Sequence, residues 1–308
     1  MVGEVDSLGR WLGSKRWLPA LYPGALPEPR PRGRCFDVFT GGASIAIHWA
    51  KQGRRVVLSD TNPRLIHTLR ALRDSPKSIE LALRDLAASY WDAYKLGPDA
   101  AKARFVEIRE RMNESQPIAV ESCAGFLFIL HAGFNGIYRV NQKGRCNTPM
   151  GDPSPGEDLV QADKLHALRR IFRTTEMCCD GFLSMCERPK RGDVVYFDPP
   201  YVREGGFVSY SAGGFSKKDQ WELGKVLQSL DARGVRWLLS DAATPNAVRT
   251  YALWSVREVD VYRSCSGKKK GRGRTRELLV SNETLTVGRP VDIESLVTVA
   301  QPGSAEGS

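Results

Sequence analysis

Five short apolar runs punctuate the chain, at residues 34–39, 55–60, 193–198, 235–241 and 277–282. Each is rich in Val, Leu, Phe or Trp, and most are bounded by Gly, Asp or Asn. That is the pattern of strands buried on both faces of a parallel sheet. Between them the period changes. Residues 62–73 carry Leu65, Ile66, Leu69 and Leu72 at helical spacing, with Asn62 and Pro63 suited to the N-cap and first helical position. Residues 217–231 repeat the pattern with Trp221, Leu223, Val226, Leu227 and Leu230. Strand and helix in alternation predict an α/β fold, an open and mostly parallel sheet.

The alternation breaks off between residues 76 and 174. There the sequence turns helical, with Leu81, Leu83, Leu86, Tyr90 and Trp91 followed by a second apolar stretch over 105–112, and then becomes loop-like. A segment of that length is too long for an ordinary loop and predicts a second, mostly helical domain inserted between two parts of the first, 1–75 and 175–288. No internal repeat is visible. Residues 289–308 end in a polar, Gly/Ser-rich stretch expected to be a frayed, disordered tail. The longest apolar run, 123–134, is about a dozen residues and contains His131, short of the roughly 20 that span a bilayer. Glu4 and Asp6 near the start leave no apolar signal region, so the expected location is cytoplasmic.

Charge adds a partner class. With 45 Lys and Arg against 35 Asp and Glu, the net charge is +10 and the pI about 9.3. Much of the excess is local: Lys268, Lys269, Lys270, Arg272, Arg274 and Arg276 lie within one ten-residue stretch. A Gly-spaced basic loop of this kind follows phosphates without reading sequence, although a merely solvated loop would look the same. The seven cysteines show no C-x-x-C spacing and the four histidines no H-x-H or H-E-x-x-H grouping, so neither a disulfide framework nor a metal site is expected.

The first strand runs out through Phe39, Thr40, Gly41, Gly42, Ala43 and Ser44 into an apolar helix. Glycines at such a junction let the backbone turn sharply and approach a ligand beside a helix N-terminus. The second strand ends in Asp60, placed to accept hydrogen bonds from ribose hydroxyls. A tight turn with a helix cap is the plainer reading of the glycines, and Asp60 tilts it toward a nucleoside cofactor. The run at 193–198 is the sharpest signal, because it ends in Asp198-Pro199-Pro200-Tyr201. Two prolines fix the backbone and remove two N–H donors, leaving carbonyls exposed to a ligand. A carboxylate and a carbonyl can both accept from one exocyclic amino group, drawing its lone pair out of conjugation for attack on an electrophile. Tyr201 offers a face on which a base can stack.

Together these motifs resemble the amino methyltransferases that use S-adenosylmethionine, and further segments narrow the resemblance to the Dam-type DNA adenine N6-methyltransferases. Those segments are Trp11-Leu12-Gly13-Ser14-Lys15; the stretch 134–141 with Gly144 and 147–151; residues 207–215 with Asp219-Gln220; and Arg276-Glu277-Leu278-Leu279 after the basic loop. The match runs from about residue 8 to 282 with every motif in order. Two small departures are Ala43, where the family has a second glycine, and Gly13-Ser14, where it has Gly-Gly. The family's adenine-binding acid falls on Asp180, and Gly181 displaces the following aromatic to Phe182.

The resemblance implies a Rossmann-like methyltransferase sheet whose inserted helical domain is a target-recognition domain carrying a β-hairpin. It implies S-adenosylmethionine held by Trp11, Lys15, Phe39, Gly41, Gly42, Ser44, Asp60, Asp180, Phe182 and Asp198, and catalysis by Asp198, Pro199, Pro200 and Tyr201 on an adenine flipped out of duplex DNA. The transfer it implies is direct, and none of the 18 prolines is followed by the Cys of a covalent cytosine-C5 mechanism. On residues alone, the stretch 134–151 reads as a Gly-bounded hairpin bearing Arg139, Lys143 and Arg145, with Phe134 a wedge or a core residue. The resemblance assigns DNA contacts to Arg10, Phe134, Asn135, Ile137, Arg139, Asn141 and Pro149, beside Lys268, Lys269, Lys270 and Arg272, and points to GATC. A cytoplasmic monomer, associated with the nucleoid through double-stranded DNA, with no membrane and no metal, is the accompanying expectation. Amino methylation of cytosine N4 or of RNA, and a silent DNA-binding relative, are the competing readings.

Overall fold

The computed structural model describes residues 5–9, 11–201, 215–263 and 273–291. A short helix, α1 (Trp17–Leu21), precedes β1 (Arg34–Asp37), α2 (Ser44–Lys51), β2 (Arg55–Ser59) and α3 (Pro63–Asp74). Four helices follow without a strand: α4 (Pro76–Lys95), α5 (Pro98–Glu114), α6 (Val120–Ala132) and α7 (Ala162–Ile171). The sheet resumes with β3 (Glu176–Cys178), α8 (Phe182–Met185), β4 (Val194–Phe197), α9 (Lys217–Ala232), β5 (Arg236–Ala242), α10 (Pro245–Thr250), β6 (Ser255–Arg263), β7 (Gly273–Ser281) and β8 (Arg289–Pro290). The sheet order is β3-β2-β1-β4-β5-β7-β6-β8.

Strands β3, β2, β1, β4 and β5 are parallel, as the α/β reading requires. The run at 277–282 is a correction. It belongs to β7, which is antiparallel to both of its neighbours, β5 and β6. Only nine residues separate β6 from β7, and a parallel crossover needs a dozen or more. Strand β6 escapes the pattern because Arg257, Glu258 and Asp260 break its apolar run, and β3 because it has only three residues. Strand β8 pairs with β6 at Arg289 and Pro290, so the first residues of the segment read as a frayed tail belong to the sheet. Residues 292–308 lie outside the described residues.

The parallel strands alternate sides. Cys35, Val56, Leu58, Val194 and Tyr196 join a core on one face, and Phe36, Val57, Val195 and Phe197 one on the other. Both faces are covered, which is why the strands read as continuous apolar runs. Helices α8, α9 and α10 cover the second face, and α2 and α3 the first. Asn62 caps α3 as expected, its side chain accepting from Arg64 N at 3.1 Å and Leu65 N at 3.3 Å. A capping box of Ser216 and Asp219 starts α9, whose buried face is Gln220, Leu223, Leu227 and Leu230. Trp221 does not join that face; it is exposed, with the Lys225 ammonium 3.3 Å from its ring centroid.

Helices α4 to α7 leave the sheet between α3 and β3 and share one continuous core with α2 and α3. Phe105, Phe126 and Phe128 fall in the same cluster as Trp49, Leu65 and Leu69. Helix α6 is buried on nearly every side, which accounts for its apolar run. No helix among the described residues is long and apolar enough to cross a membrane.

Candidate active site

The C-terminal ends of the parallel strands carry the chemistry. Strand β1 lies between β2 and β4, so connections leave it in both directions, the position at which open α/β sheets take their ligands. Beyond β1 the chain turns through Gly41, at φ +46°, and Ala43, at φ +60°, before α2 begins at Ser44. Ala43 therefore holds the left-handed conformation that the glycine of the family would adopt, at a cost of roughly 1–2 kcal/mol. The Trp11 indole lies across the turn. A Cβ on Gly41 would stand 2.6 Å from Trp11 Nε1, and one on Gly42 2.8 Å from Trp11 Cβ. Two hydrogen bonds fasten this N-terminal segment: Leu8 N donates to the Gly42 carbonyl (2.9 Å) and Lys15 N to Ser44 Oγ (3.2 Å).

Asp60 follows β2 and braces the same turn. Its Oδ2 accepts from Gly41 N at 3.1 Å and its Oδ1 from Asn62 N at 2.9 Å. Burial raises its pKa, and these backbone hydrogen bonds oppose the rise. At the next strand end, Ser59 Oγ donates to the Asp180 carbonyl at 2.7 Å and fixes the chain after β3, while the Asp180 side chain itself is exposed. The displaced Phe182 packs on Phe39 (centroids 5.7 Å apart) and on Phe215 (6.1 Å), making an aromatic wall beside β1.

On the other side of β1, strand β4 delivers Asp198-Pro199-Pro200-Tyr201. The Lys15 ammonium lies 2.7 Å from Asp198 Oδ1, 3.7 Å from Glu277 Oε2 and 5.3 Å from the Tyr201 ring centroid, and it donates to the Gly13 carbonyl at 2.7 Å. Lys15 thus sits on the Asp198 turn, where it supplies a counter-charge to a largely buried carboxylate. Burial raises the Asp198 pKa; Lys15 and a hydrogen bond from Ser240 lower it, and the charge of Glu277 raises it. Sequence reasoning missed Ser240, Tyr196 and Asp37 altogether, and quoted Glu277 without a role. Their signal is a polar residue within an otherwise apolar strand. Asp37 is buried near Asp60 and Asp198 and accepts from Thr40 Oγ1 (3.0 Å) and Ala46 N (3.1 Å); desolvation lifts its pKa to about 7. The described residues contain no group of three His, Cys, Asp or Glu side chains arranged to hold a metal ion.

The residues read as DNA contacts form a separate, hairpin-like unit. Bridges join Gly133 to Met150 and Val140 to Cys146, and a short 3-10 turn at Phe134–Gly136 interrupts the ladder between them. Helix α5 supports it: Asn113 Nδ2 donates to the Cys146 carbonyl, Cys146 N donates to Asn113 Oδ1, and Arg145 pairs with Glu110 at 2.7 Å. Phe134 is 47% exposed, so it is not a core residue. Arg139 and Pro149 are exposed as well, and Asn135 holds φ +54°. Ile137 is buried at 8% exposure, and Asn141 Oδ1 accepts from Lys143 N and Arg145 N within the turn, so these two side chains brace the hairpin. Arg10, Lys268, Lys269, Lys270 and Arg272 lie outside the described residues.

The comparison with known families agrees with this geometry. Residues 11–264 match the D12 class N6 adenine-specific DNA methyltransferases. The chain belongs to that family. Its activity class is therefore methyl transfer to adenine in DNA. Among its relatives are the type II methyltransferase M1.LlaDCHI of Lactococcus lactis subsp. cremoris, 28% identical over 278 residues covering 89% of this chain and 94% of that one. The DNA adenine methylase of Vibrio cholerae is 28% identical over 275 residues, covering 88% and 93%. That of Escherichia coli K12 is 24% identical over 270 residues, covering 86% and 92%.

Proposed function

We propose that this adenine methyltransferase draws its methyl group from S-adenosylmethionine and delivers it to the N6 of an adenine swung out of duplex DNA, within GATC. The observation that carries the reading is the pairing, on adjacent strand ends, of a glycine turn braced by Asp60 with the partly buried Asp198 carboxylate and its Pro199-Pro200-Tyr201 turn. Two features support a nucleoside cofactor here: Gly41 and Gly42 leave no room for a side chain beneath Trp11, and Phe39, Phe182 and Phe215 supply an apolar wall. Trp11, Lys15, Ser44, Asp60 and Asp180 are the polar and aromatic groups that would hold it. When bound, S-adenosylmethionine supplies a methyl group already activated by its positively charged sulfur.

The protein's work is then placement and polarisation. Asp198 and the Pro199 carbonyl accept the two N6 hydrogens, which pushes the nitrogen lone pair out of the ring plane. Asp198 is the nearest base for the proton that N6 sheds as its new bond forms. Tyr201 stacks on the base and keeps the amino group in line. Phe134, exposed at the hairpin's turn, supports the role of a wedge filling the gap in the base stack. Arg139, exposed beside it, supports bidentate reading of a guanine, and Pro149 contact with a thymine methyl. The burial of Ile137 leaves the thymine contact to Pro149. By family position Arg10 adds a further guanine contact, and the basic residues Lys268, Lys269, Lys270 and Arg272 would follow the phosphates. Such a protein works as a monomer in the cytoplasm, on the nucleoid.

Exposure of unmethylated genomic DNA to the protein and cofactor, followed by nucleoside analysis and modified-base sequencing, tests this reading. N6-methyladenine confined to GATC is the expected product. N4-methylcytosine, or methyladenine spread over unrelated contexts, contradicts the substrate or the site respectively.

A further inference from the structure

Among the described residues, the Asp198 carboxylate is held through one of its two oxygens. Oδ1 receives the Lys15 ammonium at 2.7 Å and the Ser240 hydroxyl at 3.2 Å, and neither contact uses Oδ2. Ser240 lies on β5, the strand adjacent to β4, and is fully buried. Behind it the Tyr196 hydroxyl stands 2.8 Å from Ser240 Oγ, also buried.

The donor count fixes the direction of this chain. A serine hydroxyl has one proton, and a carboxylate oxygen can only accept, so Ser240 spends its proton on Asp198. The Tyr196 hydroxyl must then donate to Ser240 Oγ. Burial and the nearby negative charge of Asp198 both push the Tyr196 pKa upward, which keeps the phenol protonated and the direction unambiguous. Each donor in such a chain polarises the next, so the bond to Asp198 is strengthened from behind.

We propose that Ser240, backed by Tyr196, is a positioning residue for methyl transfer, fixing Asp198 through Oδ1 so that Oδ2 is presented to the adenine amino group. The inference rests on the functional reading above and adds two residues to it. Lys15 supplies the charge for the same oxygen, but an ammonium on a flexible stem sets no plane. The short Ser240 side chain, held between two strands of the sheet, does.

The test is single-turnover methylation by wild type, Ser240→Ala, Tyr196→Phe, the double variant and Ser240→Thr, with separate measurement of DNA and cofactor affinity. Ser240→Ala is expected to slow transfer roughly tenfold to a hundredfold, the size of a lost hydrogen bond to a charged group, with both affinities changed less than about threefold. Tyr196→Phe costs less alone and nothing further once Ser240 is Ala, and Ser240→Thr restores most of the rate. Thermal melts establish that each variant is folded, and Tyr196→Phe keeps the test open should Ser240→Ala fail to fold. An unchanged rate in Ser240→Ala, or a Tyr196→Phe penalty of the same size in both backgrounds, overturns the inference while an active wild type leaves the functional reading standing. A wild type that transfers no methyl group to adenine overturns both.

Discussion

The Lys15 ammonium lies 2.7 Å from Asp198 Oδ1, with only 2% of the lysine side chain and 18% of the aspartate side chain exposed. Two residues 183 positions apart in the sequence are thereby joined into one charged unit at the heart of the site. Burial pushes the Asp198 pKa above the ordinary carboxylate range, and Lys15 is the largest influence in the opposite direction. Transfer needs Asp198 ionised. The acid limb of kcat/KM should therefore lie at higher pH than an exposed aspartate would give. Replacing Lys15 by Met removes the opposing influence and should move that limb to higher pH still. A pH–rate profile that stays in place in Lys15→Met would show that the pair does not govern the Asp198 proton.

Asp37 makes a prediction about stability rather than rate. Its pKa in the folded protein is about 7 against an ordinary value of 3.8, because burial disfavours the charge. The folded state thus holds a proton that the unfolded state has released. The resulting stabilisation is complete below the unfolded pKa and is lost as pH rises through about 7. Melting temperatures measured from pH 4 to 8 should fall more steeply with pH in wild type than in Asp37→Asn. Parallel curves for the two proteins would contradict the assignment.

Asp60 braces the glycine turn, and the proposed function gives it the ribose hydroxyls as well. Loss of its hydrogen bonds to ribose should weaken cofactor binding by roughly 1.5–3 kcal/mol in Asp60→Ala. Loss of its bonds to Gly41 N and Asn62 N should also loosen the turn and lower the melting temperature. Asp60→Asn can still accept from one backbone N–H, so it should recover part of the stability. Calorimetric titration beside thermal melts distinguishes the two, and an unchanged affinity in Asp60→Ala would remove this residue from the cofactor site.

Much of this is legible in the sequence. The parallel strands, the glycine turn, Asp60 and the Asp198 turn all announce themselves through local patterns, because a doubly covered strand and a proline-fixed turn are short-range features. What stayed hidden depends on who sits opposite whom. Ser240 and Asp37 are ordinary letters within apolar strands, and only sheet order places them near Asp198; Tyr196 precedes Asp198 by two residues, and only sheet order gives its hydroxyl Ser240 as a partner. The antiparallel β7 was misread for the same reason, since a buried run does not declare its direction. Burial and local bonding are likewise not legible from family position: Ile137 is 8% exposed, and Asn141 Oδ1 accepts from Lys143 N and Arg145 N.

The proposed function makes the exposed Arg139 a reader of guanine. Arg139→Ala should relax the preference at one outer base pair of the target by roughly tenfold or more, the worth of a good bidentate contact, while adenine stays obligatory. Competition between target duplexes with single substitutions measures it. Equal loss of affinity for all sequences would instead make Arg139 a phosphate contact.

The central claim is that Asp198 activates the adenine amino group in a site that binds its cofactor independently. Wild type and Asp198→Ala should therefore be compared for S-adenosylmethionine affinity and for transfer of labelled methyl to a duplex carrying one target adenine. The account predicts cofactor affinities of the same order and a transfer rate lower by orders of magnitude in the variant. Near-wild-type turnover by Asp198→Ala would contradict it.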